Sequence, residues 1–400
     1  MIVNVNVKRA DRKKRQVFLF FIFILTLTIL SCKNENTKAG DAPGSSQEAA
    51  WLEDYSPSPF VWGYIDTMGS FVINPLFDDT RDFSNGLAAV NLNGKWGYIN
   101  KQGKLVISNL YMTCGDFSEN IAVVQGFDKK YHYIDSTGKK IFDCPGEECA
   151  SFVGEFAVFA VNESFGVIDK KGNAVVPPRF RDLKFGAPGQ FIAKIGNQEG
   201  VIGLQANWII EAGSHSIKLA GEGYYIVKDG QQSSYFDTKG KKVAGPYNTA
   251  GVFEHGYAAV KKDNKYEVLD KTMKTIYATS KKLTSAGSGL WIEWQNDTTG
   301  LIIYNDGRYL TKKPYAAFLK FAEGTIGVMQ GESWGYLDSN GAEMVSPSLP
   351  LAWDCIGGRI RFIGQSGYGF LDREGKVKII PKFPEARDFK EGLARAASFR

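Results

Sequence analysis

One ten-residue stretch, KWGYINKQGK at positions 95–104, recurs along the chain, and its period constrains the fold more than any other feature. Trp96, Tyr98 and Asn100 alternate with Gly97 and Ile99, which is the two-residue period of a strand. Asn100 to Gly103 suits a type I turn, with Asn at its first position and Gly at the fourth, where φ is positive. Lys104 then starts a return strand. The Gly beside Trp96 leaves one strand face bare, so another side chain or backbone can approach closely.

Copies of this hairpin begin at positions 62, 96, 131, 165, 199, 233, 266, 300, 334 and 368, at intervals of 33 to 35 residues. A period in this range signals a solenoid, a propeller or another stacked array. Pro75, Pro178, Pro246, Pro347 and Pro381 recur in phase, and an aromatic recurs after this position at Phe77, Tyr111, Phe180, Tyr315 and Phe383. A segment of the type DFSNGLAAV (82–90) then leads into the next copy. The expected unit is strand, turn, strand, a Pro-bounded loop, and a third strand that hairpins into the next WG strand. Trp96 is expected to be mostly buried between neighbouring repeats.

These residues resemble the WG-repeat family of bacterial proteins. The resemblance rests on WGYID-x-x-G, the downstream Pro and aromatic, and DF-x-x-G-L-A-x-V, from about Phe60 to Arg400. Only Trp62, Trp96 and Trp334 keep the motif's Trp, and the copies at Glu199, Ser233 and Gly300 depart most. The resemblance implies a β-rich repeat scaffold, often on exported proteins. It implies no reaction and no cofactor.

Residues 1–31 read as a targeting segment. Lys8, Arg9, Arg12, Lys13, Lys14 and Arg15 precede an apolar run from Val17 to Leu30, which is short for a membrane span. Ile29-Leu30-Ser31-Cys32 resembles a bacterial lipobox, implying cleavage before Cys32 and its acylation. Several acyl chains on one residue give stable anchoring. Residues 32–59 read as a flexible tether rich in Ser, Gly, Ala, Asn and Pro. Residues 60–400 form the ten-copy repeat domain, and 44 glycines suit its many turns.

The targeting segment also carries the charge excess. Without its six basic residues and Asp11, the chain holds 42 basic and 42 acidic residues. A nucleic-acid role therefore loses its electrostatic support. Cys144 and Cys149 are candidates for a local disulfide in an exported chain. The three histidines, His132, His215 and His255, are scattered, and no metal site or cofactor is expected. G-x-S-x-G, P-loop and H-E-x-x-H signatures are absent, and no catalytic residue is assigned. The recurrent aspartates, Asp66, Asp135, Asp169, Asp237, Asp338 and Asp372, fit turn positions. Trp291, Glu293 and Trp294 break the repeat pattern and are candidates for ligand contact.

The fold class expected is all-β, a propeller-like closed ring, with an open β-solenoid as the alternative. One spare strand at the C terminus argues for the ring: Ala394 and Ala396 are expected beside the strand 61–65. The function expected is a lipid-anchored cell-envelope scaffold, monomeric, held to the membrane through Cys32. It binds an envelope protein or glycan and is not an enzyme. The alternatives are an envelope hydrolase or lyase using loop carboxylates in a propeller channel, and a purely structural spacer.

Overall fold

A computed structural model of the chain describes residues 55–400, and no helix occurs among them. The targeting segment, Cys32 and most of the tether, including Trp51 and Leu52, lie outside the described residues. Ten antiparallel sheets follow one another along the chain as the blades of a β-propeller. Blade 2 shows the pattern: Asp79–Thr80, Leu87–Leu92, Lys95–Asn100 and Leu105–Tyr111, paired in that order. Burial falls along this series. The second and third strands are mostly buried, whereas the fourth alternates and forms the outer edge.

Eight of the ten units therefore have four strands where three were expected; blades 1 and 8 have three. The extra one is often only two residues long, too short to show a period. The prolines do not bound loops. Pro75, Pro178, Pro246, Pro347 and Pro381 all lie inside outer strands. An outer strand has no neighbour needing its N–H groups, so it tolerates Pro, which also discourages edge-to-edge pairing.

The Gly of the motif follows from this outer strand. Register slips where it passes the Gly, as between Trp96↔Tyr111 and Tyr98↔Ile107. The bulge brings carbonyls inward. A Cβ on Gly97 would stand 2.6 Å from the Ile107 carbonyl oxygen; on Gly369, 2.6 Å from that of Ile379. Gly97→Ala should therefore destabilise the protein by about 1–3 kcal/mol, the usual range for overpacking, since backbone cannot swing aside. A urea midpoint equal to wild type would refute this steric account.

The turns behave as expected. Asp66 Oδ1 accepts the Met68 and Ser70 N–H groups, and Asp372 Oδ1 those of Glu374 and Lys376. The turn Gly receives the previous blade as well: Ile73 packs on Gly103, Ile107 on Gly138 and, across the closure, Ile379 on Gly69.

The core is ten slabs, one between each pair of consecutive blades. Tyr98 and Ile107 of blade 2 meet Phe117 and Val124 of blade 3, for example. Tyrosines two residues after the motif's first position lock blades together. Tyr64, Tyr98, Tyr133, Tyr235 and Tyr336 each donate to a backbone carbonyl of the next blade at 2.6–2.9 Å. Burial pushes these hydroxyls well above their ordinary range. Trp96 is half-buried rather than mostly buried, lying at the slab's margin against Tyr111; Trp62 is the more enclosed, at 8% exposed.

The ring is closed, not an open solenoid. The C-terminal strand Ala394–Phe399 pairs with Phe60–Ile65, in the register Ile65↔Ala394, Gly63↔Ala396 and Phe60↔Phe399. Blade 1 is thus built from both ends of the described chain, with Phe71–Phe77 as its outer strand. Ile65, Phe370, Ile379, Ala394 and Ala396 fill the slab between blades 10 and 1.

Candidate functional site

Polar side chains gather in three places on the ring, and they differ in whether their hydrogen-bonding capacity is already used.

The first is the sector of blades 10, 1, 2 and 3. Asp354, Asp388, Asp82 and Asp116 occupy one repeat position there. Arg361 Nε lies 3.3 Å from Asp388 Oδ1, Arg395 Nε 2.6 Å from Asp82 Oδ1, and Arg81 Nη1 3.8 Å from Asp116 Oδ1. Each pair joins one blade to the next, and Arg395–Asp82 ties the C-terminal strand to blade 2. The guanidinium groups also stack: Arg361 over Trp353 at 4.7 Å, Arg81 over Trp96 at 5.7 Å and Arg387 over Trp62 at 5.4 Å. The motif's Trp therefore serves as a platform for arginine. Burial pushes the Asp354 and Asp388 carboxyls up, and Arg361 pulls Asp388 part of the way back. This sector is a ladder of ion pairs between neighbouring blades.

The second place holds Trp291, Glu293 and Trp294, the residues expected to contact a ligand. All three belong to the strand Leu290–Trp294 of blade 8, between Leu283–Gly287 and Gly300–Tyr304. Trp291 is 3% and Glu293 1% exposed, and Trp291 packs with Val268, Leu283 and Ile303 between blades 7 and 8. Trp294 donates from Nε1 to Thr284 Oγ1 at 2.9 Å and meets Phe318 edge-on. Glu293 accepts from Tyr277 and Tyr309 hydroxyls at 2.7 Å each, from Lys281 at 3.2 Å and from Gln295 at 3.1 Å. The expected contact patch is an interior network in which both Glu293 carboxylate oxygens are already engaged. It exists because blade 8 has no fourth strand, and Tyr309 from the segment after Tyr304 reaches in instead.

The third place is a groove between blades 5 and 6, with a volume of about 530 Å³. Ile209, Ile210, Val227, Phe236 and Pro246 form its apolar surfaces; Glu211, His215, Asp229, Gln232, Ser234 and Lys242 supply polar groups. The cause lies in the repeat. Other copies direct an aromatic toward the following blade: Phe165 into the slab between blades 4 and 5, Tyr266 into that between 7 and 8. Blade 5 has Glu199 there, which turns to accept the Ile217 N–H at 2.6 Å. Blade 6 has Ser233 and Ser234 in place of Trp-Gly. A smaller groove of about 250 Å³ continues on the far side of blade 6, lined by Gln232, Tyr247, Asn248, Lys262 and Asp263. His215 Nε2 is shielded from solvent and has no partner among the described residues. A shielded polar atom without a partner costs free energy, which a bound hydroxyl or water recovers.

Sequence reasoning missed the groove residues. The one signal was the departure of Glu199, Ser233 and Ser234 from the motif. Elsewhere, Cys144 and Cys149 form a disulfide, with Cα atoms 6.2 Å apart, while Cys114 and Cys355 are free and buried. No group of three or more potential metal ligands occurs among the described residues.

Comparison with known proteins fits the repeat. The family model described as "WG containing repeat" matches residues 62–96, 96–131, 165–185, 234–266 and 368–397. Those five stretches match the WG repeat. The WG matches include blade 1 and the C-terminal strand that completes it. No curated protein sequence matches the chain. Among solved structures, a eukaryotic initiation factor is 10% identical, with 76% of this chain and 95% of that one covered at a TM-score of 0.47. Hsv2 of Kluyveromyces lactis is 12% identical, covering 62% and 91% at 0.30. BamB from Moraxella catarrhalis is 10% identical, covering 66% and 88% at 0.31. At these scores none carries a functional argument.

Proposed function

We propose that this WG-repeat propeller is a lipid-anchored scaffold of the bacterial cell envelope that binds a protein or glycan, and is not an enzyme. The groove between blades 5 and 6 is the observation that supports it most. Its Glu211, His215, Asp229, Gln232 and Lys242 side chains make no hydrogen bond or ion pair within the described protein, unlike the Glu293 carboxylate, which accepts four. Uncommitted polar groups beside an apolar wall suit recognition of a ligand's hydroxyl, amide or charged groups. In this reading the protein is a monomer, needs no cofactor and does not bind nucleic acid.

The anchor rests on the lipobox-like residues 29–32. Cys32→Ala should abolish incorporation of labelled fatty acid and leave the chain uncleaved or released. Fatty-acid labelling of the variant at the wild-type level would exclude lipidation at Cys32. The binding role is tested by using the full-length protein as bait in envelope extract, with and without Asp229→Lys and Lys242→Glu. Both side chains are exposed, so the fold should survive the changes. The variant should lose at least one protein or glycan that the wild type retains. Identical retained material would remove the groove from consideration.

A further inference from the structure

Exposed apolar side chains are not spread evenly around the ring. Among the described residues, the five most exposed large ones are Met68, Leu76, Leu110, Ile380 and Phe399, at 63–71%. All five belong to blades 10, 1 and 2. Val72, Leu105, Val106 and Val377 add to the same sector. Single exposed apolar residues need no explanation, but concentration on three of ten blades does.

The charge of this sector suits an anionic partner, although the outer strands of blades 4, 6 and 7 lack acidic residues too. The outer strands Val377–Phe383, Phe71–Phe77 and Leu105–Tyr111 contain no Asp or Glu. Lys376, Lys378, Lys382 and Lys104 stand exposed on or beside them, with Glu374 set back in the preceding turn. Apolar tips among ammonium groups match an anionic bilayer surface, where apolar atoms enter the headgroup layer and each lysine is attracted electrostatically.

The chain also enters the ring here. Tyr55 hydrogen-bonds Asp78, which follows the outer strand of blade 1, and Phe60 packs on Phe399 at 5.3 Å. Only 22 residues separate Tyr55 from Cys32. A flexible linker of that length has an end-to-end distance of about 25 Å, so an anchor at Cys32 would hold blades 1 and 2 near the membrane.

We propose that the rim of blades 10, 1 and 2 is a lipid-docking surface that lies against an anionic bilayer. The proposal rests on the lipid-anchor reading for its geometry, and on the rim's own chemistry for its partner. In a ring of ten, blade 6 is diametrically opposite blade 1. Docking by this rim therefore turns the grooves flanking blade 6 away from the membrane, open to a ligand.

The test is photolabelling of the full-length protein, reconstituted in vesicles of phosphatidylethanolamine and phosphatidylglycerol that carry a diazirine-acyl phospholipid. Label is expected on peptides containing residues 71–77, 104–111 and 376–383, and not on 242–247 or 275–279, which lie across the ring. Replacing Leu76, Leu110 and Ile380 with Ser should cut rim labelling by about tenfold. Their exposure leaves the core intact, and an unchanged circular dichroism spectrum checks this. Label confined to the N-terminal 54 residues, or spread evenly around the ring, overturns the proposal. Anchoring is read separately, as acyl mass on Cys32. An acylated protein with an unlabelled rim defeats the rim alone; a labelled rim without acylation defeats the anchor alone.

Discussion

Deleting residues 390–400 should unfold the ring or drive it to aggregate, not merely fray its end. The deletion removes all six register pairs between Phe60–Ile65 and Ala394–Phe399. At about 1 kcal/mol net per hydrogen bond, the backbone loss alone is on the order of 5 kcal/mol. Packing adds to it, because Ala394, Ala396 and Ala397 are at most 1% exposed. So do the contacts of Arg395 with Asp82 and with the Thr80 carbonyl, both 2.6 Å, and the Lys390–Asp82 pair at 3.0 Å. Domain stabilities are typically about 5–15 kcal/mol, so a loss of this size consumes most of the margin. The strand Phe60–Ile65 would also become an unpaired edge carrying buried-type side chains, a template for association. Size-exclusion chromatography and a urea melt provide the check. A monomeric truncation with the wild-type midpoint would show that closure contributes nothing. Arg395→Ala, which keeps the strand and removes the pair, should fall between the two. In the intact protein, spin labels at Ser58 and Ser398 should lie within about 15 Å, since Val61 is the register partner of Ser398.

Closure was legible in the sequence because it is a matter of counting: a WG strand with no partner before it, and a spare GLARAASF strand with no WG strand after it. The turn aspartates and the motif's Gly were legible for a related reason. Each answers a local steric or hydrogen-bonding demand that recurs in most copies. What escaped notice was either too short or too long in range. Asp79–Thr80 has only two residues and no period. Pro75 looks like a loop residue unless the strand is known to be an outer edge. The bond from Tyr98 to the Gly115 carbonyl joins residues 17 apart on different blades. The grooves around blade 6 come from residues that are missing rather than present, so Glu211, His215 and Asp229 carry no motif. Trp291, Glu293 and Trp294 misled for the opposite reason. A break in the pattern suggested a surface feature, whereas blade 8 had lost its fourth strand and rebuilt its interior.

That rebuilt interior makes Glu293 the residue whose loss should be most damaging outside the closure, and its effect should depend on pH. Burial alone would push its carboxyl up. The hydrogen bonds from Tyr277, Tyr309, Gln295 and Lys281 outweigh it and hold the carboxyl down at about 2, against an ordinary 4.5. A carboxyl depressed in the folded state contributes stability that is fully present above its unfolded pKa. That contribution is lost as pH falls from about 4.5 toward about 2. The shift corresponds to about 3 kcal/mol at neutral pH, since each unit is worth about 1.4 kcal/mol. Glu293→Ala should cost about 3–5 kcal/mol, because it strands two tyrosine hydroxyls and a lysine around an empty site. Glu293→Gln is the sharper variant. Its amide keeps the volume and one acceptor but cannot titrate, so the gap between wild type and variant should be widest at neutral pH and narrow below about pH 4. Urea midpoints measured for both proteins from neutral pH down to about pH 3 decide the matter. A gap that stays constant across that range would mean that the Glu293 carboxylate is not what the four donors stabilise.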